Sequence, residues 1–258
     1  MYIDLNNALV FMMVMLRMTS MLVMNPIFGR RNIPTMVNMG LSFMLAVVIT
    51  SSMPFPTLPD PTLLTFAFMA IMELMVGFTA GFIVNLFLTI MIVGGSVVDM
   101  QMGLAMAQVF DPGSNASIPL SATIFNAMFI LTFFVTNNHL TFINMTAQTF
   151  NVIPLGVIGI TPQALFYIPN LFSTIILFAV KLCLPIVVIQ VITTLSVGVV
   201  MRIVPQINIF VLNIQIKLLL GIMALFLLVA PLMGFMENLW TISFERIVDM
   251  WRLMIPSQ

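Results

Sequence analysis

Five charged residues stand inside or at the ends of long apolar stretches, and they are the first candidates for chemistry: Arg17, Glu73, Asp99, Lys181 and Lys217. A charge at the centre of a bilayer-spanning helix costs roughly 2.5–3.5 kcal/mol on insertion scales, so each should face protein or water rather than lipid. Two uses are open. The residues could form a proton or ion relay, or opposite charges could pair between helices or subunits and hold an assembly together, for example Glu73 with a basic residue on another helix or subunit. No predicted helix carries an alternating series of Asp, Glu and His of the kind a relay employs. Catalysis has still less to draw on. His139 is the one histidine and Cys183 the one cysteine. That excludes an internal disulfide framework and a multi-histidine or cysteine-rich metal centre, and leaves Ser/His or Cys/His devices to coincidence. Walker A, GxGxxG, HExxH and GxSxG motifs are missing. Neither enzymatic activity nor a cofactor is expected.

A second set of residues has shape rather than reactivity. Gly77-Phe78-Thr79-Ala80-Gly81 has the GxxxG spacing that lets another helix backbone approach closely, and Thr193, Thr194, Ser196 and Gly198 form a similar small, polar patch. Both indicate tight helix packing. Between Asp99 and Pro119, Met102, Met106 and Phe110 recur every fourth residue, a flexible apolar stripe on a helix. Asp111-Pro112-Gly113 is turn chemistry, and Ser114, Asn115, Ala116 and Ser117 extend it as a loop. Taken on periodicity alone, the stripe is either a closing ring of adaptable side chains or a core face followed by an ordinary loop.

The elements that must position these residues follow from composition. Of 258 residues, 61% are hydrophobic and 6% charged, and the mean hydropathy is +1.19. A soluble domain of this length, about a quarter charged, would carry roughly 65 charges; this chain has 8 basic and 8 acidic residues. The expected class is therefore an all-α membrane protein. A net charge of zero leaves no basic footprint for nucleic acid. The amino-terminal stretch reads as a retained helix rather than a signal peptide, because Asp4 is its first charge and Arg17 interrupts the apolar run.

Hydropathy predicts six segments, about 7–24, 35–51, 62–98, 119–135, 171–201 and 211–236, each meeting the roughly 17–25 residues that span a hydrocarbon core of ~30 Å. The third is long enough to protrude, tilt or bend at Gly94-Gly95, and Pro185 invites a kink in the fifth. The uncharged connection from Asn137 to Asn170 contains Pro154, Gly156, Gly159, Pro162 and Pro169 as breakers, and is expected to pack against protein as a re-entrant or partly helical element. Simple alternation fails: with Arg30-Arg31 placed inside, Arg202 also falls inside, but Arg246 and Arg252 fall outside.

Two stretches carry a family resemblance. Asp99-Met100-Gln101-Met102-Gly103-Leu104, continued by Ala107 and Asp111-Pro112, resembles the signature of the FliR family, the flagellar members of the export-gate group called SctT in injectisomes. Pro205-Gln206-Ile207-Asn208-Ile209-Phe210, followed by Lys217, resembles that family's Pro-Gln-x-Asn-x-Phe stretch. Where many members have Gly-Phe-Pro, this chain has Asn213-Ile214-Gln215, so a proline-dependent kink is not expected there. The resemblance implies a single export-gate membrane domain over residues 1–258. Within it, 1–170 would be FliP-like and carry a plug loop, and 171–258 would be a FliQ-like hairpin with a tail. It further implies helical hairpins assembled into a pore for unfolded flagellar substrates, in the bacterial inner membrane at the flagellar basal body. The implied partners are FliP-like and FliQ-like subunits, FlhB and FlhA. Residues Met102, Met106 and Phe110 through Ser117 become the candidate seal. An ion-coupled secondary transporter and a structural subunit of another membrane complex remain as alternatives; the transporter predicts inverted repeats, and none is convincing.

Overall fold

The computed structural model describes residues 5–30, 32–53, 62–104, 119–156, 161–203 and 209–255. Among them the chain forms eight α-helices and no strand: α1 Leu5–Met24, α2 Thr35–Ser52, α3 Leu63–Met102, α4 Leu120–Val135, α5 Asn138–Val152, α6 Pro162–Ile203, α7 Ile209–Leu227 and α8 Val229–Leu253. The molecule is an all-α membrane protein. Four of these helices are long and apolar enough to cross a membrane, or up to six spans if the bent pairs α4–α5 and α7–α8 each count as one.

Helix α3 has 40 residues and α6 has 42, so each is about 60 Å long at 1.5 Å per residue, twice the hydrocarbon thickness. Both run uninterrupted where a bend was possible, α3 through Gly94-Gly95 and α6 through Pro169 and Pro185. The expected fifth segment began at Leu171. In fact Thr161 caps a helix that starts at Pro162: its hydroxyl oxygen accepts the Ala164 N–H at 3.3 Å, and proline suits the first helical position because its missing N–H has no partner to lose. The uncharged connection is partly helical, as α5. The last expected segment breaks at Leu228, because Pro231 can neither donate to nor sit beside the carbonyl of Leu227. Beyond the break, α8 continues to Leu253 as an amphipathic helix.

The helices sort into two compact units, Met1–Leu86 with Asn137–Leu171 and Thr241–Gln258, and Phe87–Thr136 with Phe172–Trp240. In the first, Val10, Met13, Val14 and Met18 place one face of α1 against Ala46 and Ile49 of α2, Phe150 of α5 and Leu155. Helix α2 is inverted relative to a soluble helix. It buries Asn38, Ser42 and Ala46 and exposes Met36, Phe43, Met44 and Val48, the distribution of a helix whose outer neighbour is apolar. Trp251 of α8 is buried, and its indole N–H donates to the Val76 carbonyl at 3.4 Å.

In the second unit, Trp240 stacks on Phe129 with ring centroids 4.2 Å apart. Its N–H donates to the Phe129 carbonyl at 3.1 Å and to Thr132 Oγ1 at 3.2 Å. Replacing Trp240 by Phe keeps an aromatic ring and removes the donor. The expected loss is about 1–2 kcal/mol, measured as a lower thermal midpoint of the detergent-solubilised protein.

Candidate functional site

The buried charges are answered inside the chain. On α1, Arg17 is 1% exposed, and on α3, Glu73 is fully buried. The guanidinium donates through Nε to Glu73 Oε2 at 2.6 Å and through Nη1 to the Ile153 carbonyl at 3.1 Å. It also lies over the Phe150 ring, 4.2 Å from its centroid. The other carboxylate oxygen, Oε1, accepts the Gly156 N–H at 3.1 Å. Gly156 has a φ of 76°, a left-handed conformation that favours glycine. Two helices and the chain after α5 are thereby tied at one buried point, with the main chain supplying one donor and one acceptor.

The GxxxG pair lies one helical turn further along the same contact. A Cβ on Gly77 would overlap Ser20 and the Arg17 carbonyl, and one on Gly81 would come within 2.6 Å of Met24. Gly77 and Gly81 thus seat α1 on α3 at a distance that keeps Arg17 within reach of Glu73.

In the second unit, Asp99 ends a related construction. The carboxylate, 5% exposed, accepts the Ser121 N–H at 3.1 Å on both oxygens. Ser121 is the second residue of α4, so Asp99 caps a helix whose own cap position is Pro119, without a side-chain acceptor. A carboxylate at a helix N-terminus is favoured by both the free N–H groups and the macrodipole. The backbone carbonyl of Asp99 accepts the Leu104 N–H at 3.0 Å while Gly103 N–H donates to Met100 O at 3.3 Å. With Gly103 at φ 80°, this is a Schellman termination of α3. The Asp-Met-Gln-Met-Gly stretch is therefore a helix-ending device that also clamps the start of the next described helix. Gly95, one turn earlier, reinforces the clamp: a Cβ there would overlap the backbone of Ala122.

Met102 is 1% exposed, and its thioether rests on Gly221 of α7, where a Cβ would displace it. Beside it opens an apolar cavity of about 320 Å³ lined by Leu104, Leu120, Phe125, Leu218 and Phe226, with Ser121 as a polar wall. Met106, Phe110, Asp111, Pro112, Gly113, Ser114, Asn115, Ala116 and Ser117, the remaining members of the candidate seal, lie outside the described residues. Lys181 is exposed on α6, 5.3 Å from the Phe178 ring centroid. Lys217 is half-buried on α7, and its carbonyl accepts the amide of the buried Gln190 at 2.9 Å. Neither lysine joins the Asp99 site. Among the described residues, no group of three or more His, Cys, Asp and Glu side chains could hold a metal ion.

Sequence reasoning singled out Arg17, Glu73 and Asp99 but not their main-chain partners, nor Ser121, Gly221 and Gln190. The adjacent Gly94-Gly95 in a strongly apolar helix was the available signal for close packing, and it was read as a possible bend.

The chain matches an established group. The model of the bacterial export proteins, family 1, matches residues 8–242. The flagellar biosynthetic protein FliR of Escherichia coli strain K12 is 28% identical over 239 residues, covering 91% of this chain and 90% of the relative. FliR of Pectobacterium carotovorum subsp. carotovorum is 29% identical over 224 residues, covering 87% and 85%. FliR of Bacillus subtilis strain 168 is 26% identical over 252 residues, covering 95% of both chains. Matched along nearly its whole length, the chain belongs to the bacterial export proteins, family 1, as a membrane component of the flagellar export apparatus.

Proposed function

We propose that this chain is a core subunit of the flagellar type III export gate, and that it helps to form and seal the pore through which unfolded flagellar proteins pass. The observation that carries the reading is the Asp99 clamp. The chain leaves α3 at Gly103-Leu104 and re-enters a helix at Leu120, and both ends are held by Asp99 and by the Gly95–Ala122 contact. The described residues on either side of the candidate seal are thus held on a firm base, which is what a seal needs on its fixed side.

The side chains suit the task chemically. A seal must exclude ions at rest and yield to side chains of many shapes during transit. Methionine and phenylalanine offer an apolar constriction that blocks ions by dewetting, and methionine adapts to irregular surfaces at little cost. Asp111-Pro112-Gly113 has the residue types that favour a turn. The work is gating and threading, with no bond made or broken by the chain.

On this reading the chain assembles with FliP-like and FliQ-like subunits, FlhB and FlhA, in the bacterial inner membrane at the flagellar basal body. Residues 1–170 serve as its FliP-like portion and 171–258 as its FliQ-like hairpin and tail. Deleting Gly113 through Ser117 tests it. The complex should still assemble, and the cells should become permeable to small ions, measured as a loss of membrane potential relative to wild type. A tight membrane with assembly verified contradicts the sealing role.

A further inference from the structure

Between Leu182 and Ile192 of α6, Gln190 is the one strongly polar residue, and it is fully buried. Its Nε2 donates to the Lys217 carbonyl of α7 at 2.9 Å. Its Oε1, equally shut from solvent, has no donor among the described residues. A buried acceptor left unpaired lowers stability, and an apolar side chain of the same size would not. What the amide adds is direction. Two apolar helices can slide or rotate against each other with little change in contact, whereas a hydrogen bond to one chosen carbonyl fixes height and azimuth together. A single polar residue in an apolar helix seam sets register in this way, at a cost in stability.

The choice of carbonyl ties this register to the end of α3. In an α-helix the oxygen of residue 217 also accepts the N–H of residue 221, and Gly221 is where α7 touches Met102. A Cβ on Gly221 would overlap Met102 Sδ and would lie 2.5 Å from Met102 Cγ and 2.8 Å from Gln190 Nε2. Gln190 of α6, Gly221 of α7 and Met102 of α3 therefore meet at one point. Met102 is the last residue of α3, and Gly103, at φ 80°, follows it. A small shift of α7 reaches Met102 directly, because a thioether packed on bare backbone has no intervening side chain to absorb the movement. Thr193, about one turn from Gln190 on α6 and 5% exposed, makes no such tie: its hydroxyl donates to the Ile189 carbonyl of the same helix at 2.8 Å.

We propose that Gln190 and Gly221 are positioning residues for the seal: Gln190 sets the register of α7 on α6, and Gly221 delivers it to Met102, where the chain leaves α3. The inference rests on the sealing role proposed above and adds the residues through which α6 and α7 act on it. Its test compares Gln190→Met, Gly221→Ala, the two together and Thr193→Val in flagellated cells, with the deletion of Gly113 through Ser117 as the reference. Membrane potential, co-purification with apparatus proteins and the thermal midpoint of the purified chain are measured for each. Gln190→Met keeps the side-chain length and removes both the tie and the unpaired acceptor. Its midpoint should be no lower than that of the wild type, while the cells should lose at least half as much membrane potential as the deletion removes. Gly221→Ala should leak at least as much, and the double variant no more than the larger single, since both act through one contact. Thr193→Val should hold the wild-type potential. A tight membrane with Gln190→Met, a leak that accompanies a lowered midpoint, leaks that add in the double variant, or an equal leak from Thr193→Val overturns the positioning role. Failure of both single variants to accumulate marks the contact as structural and overturns it too. In each of these cases the sealing role stands as long as the deletion leaks. A tight membrane after the deletion, with assembly verified, overturns the sealing role and the positioning role with it.

Discussion

Replacing Glu73 by Ala is expected to remove the chain from the membrane fraction of cells, or to lower its unfolding free energy in detergent by about 3–5 kcal/mol. Arg17 is 1% exposed, and without the carboxylate it becomes a buried charge with the Ile153 carbonyl and the Phe150 ring as its remaining described partners. Removing one member of a buried pair costs more than the pair itself contributes, because the desolvation of the survivor is no longer compensated. Arg17→Ala should be comparably harmful. Replacing both, as Arg17→Met with Glu73→Met, should recover part of the loss, since no charge is then stranded. Recovery should stop short of wild type, because the Ile153 carbonyl and the Gly156 N–H lose their partners at about 1–3 kcal/mol each. The charge-reversed pair Arg17→Glu with Glu73→Arg should recover nothing. The main chain offers an acceptor where arginine stands and a donor where glutamate stands, so the polarity of the site is set from outside the pair. Thermal unfolding of the four purified variants distinguishes this account from one in which only the ion pair matters, where reversal would restore stability.

The second large effect is expected at Gly95. Substitution by Leu forces a side chain into the backbone of Ala122, and neither helix backbone can give locally. Overpacking of this kind costs about 1–3 kcal/mol where side chains can rearrange and more where they cannot. Separation of α3 from α4 also pulls Asp99 away from Ser121. The expected phenotype is failure to accumulate, or accumulation of a chain that cannot enter its complex. Gly198 and Gly234 supply the comparison, because a Cβ at either meets nothing within 4 Å. Ala at those positions should be neutral or stabilise by about 0.5–1 kcal/mol, the usual gain of replacing glycine inside a helix. Expression level and thermal midpoint measured side by side separate a packing constraint from a general dislike of substitution in these helices.

The class of fold was legible because it depends on totals: sixteen charges cannot cover a soluble surface of this size, and long uncharged runs have few structures open to them. Buried charges were legible one by one for the same reason, since Arg17, Glu73 and Asp99 stand out against apolar neighbours. Their partners were not. Ile153, Gly156 and Ser121 contribute main-chain groups, which every residue possesses, so no side-chain pattern marks them. The helix boundaries failed where hydropathy and helicity part company. Thr161-Pro162 opens α6 ahead of its most apolar stretch, and α8 carries Glu237, Glu245 and Asp249 past the point where a hydropathy window falls away. Proline misled in one direction and informed in the other. Pro162 begins a helix, Pro169 and Pro185 sit within one, and Pro231 follows a break by three residues. The Asp-Met-Gln-Met-Gly stretch was recognisable as a family pattern, but its physical meaning, a Schellman end joined to a remote cap, appears only when α3 and α4 are seen together.

The central claim is that this chain works as one subunit of a defined export gate and not alone. Native mass spectrometry of the tagged chain, purified in mild detergent from flagellated cells that express it, tests the claim most directly. The account predicts a single complex in which the chain is present with FliP-like and FliQ-like subunits at fixed stoichiometry, and that complex should survive deletion of Gly113 through Ser117. A lone monomer or homodimer that persists across detergents, from cells that still build flagella, would contradict it.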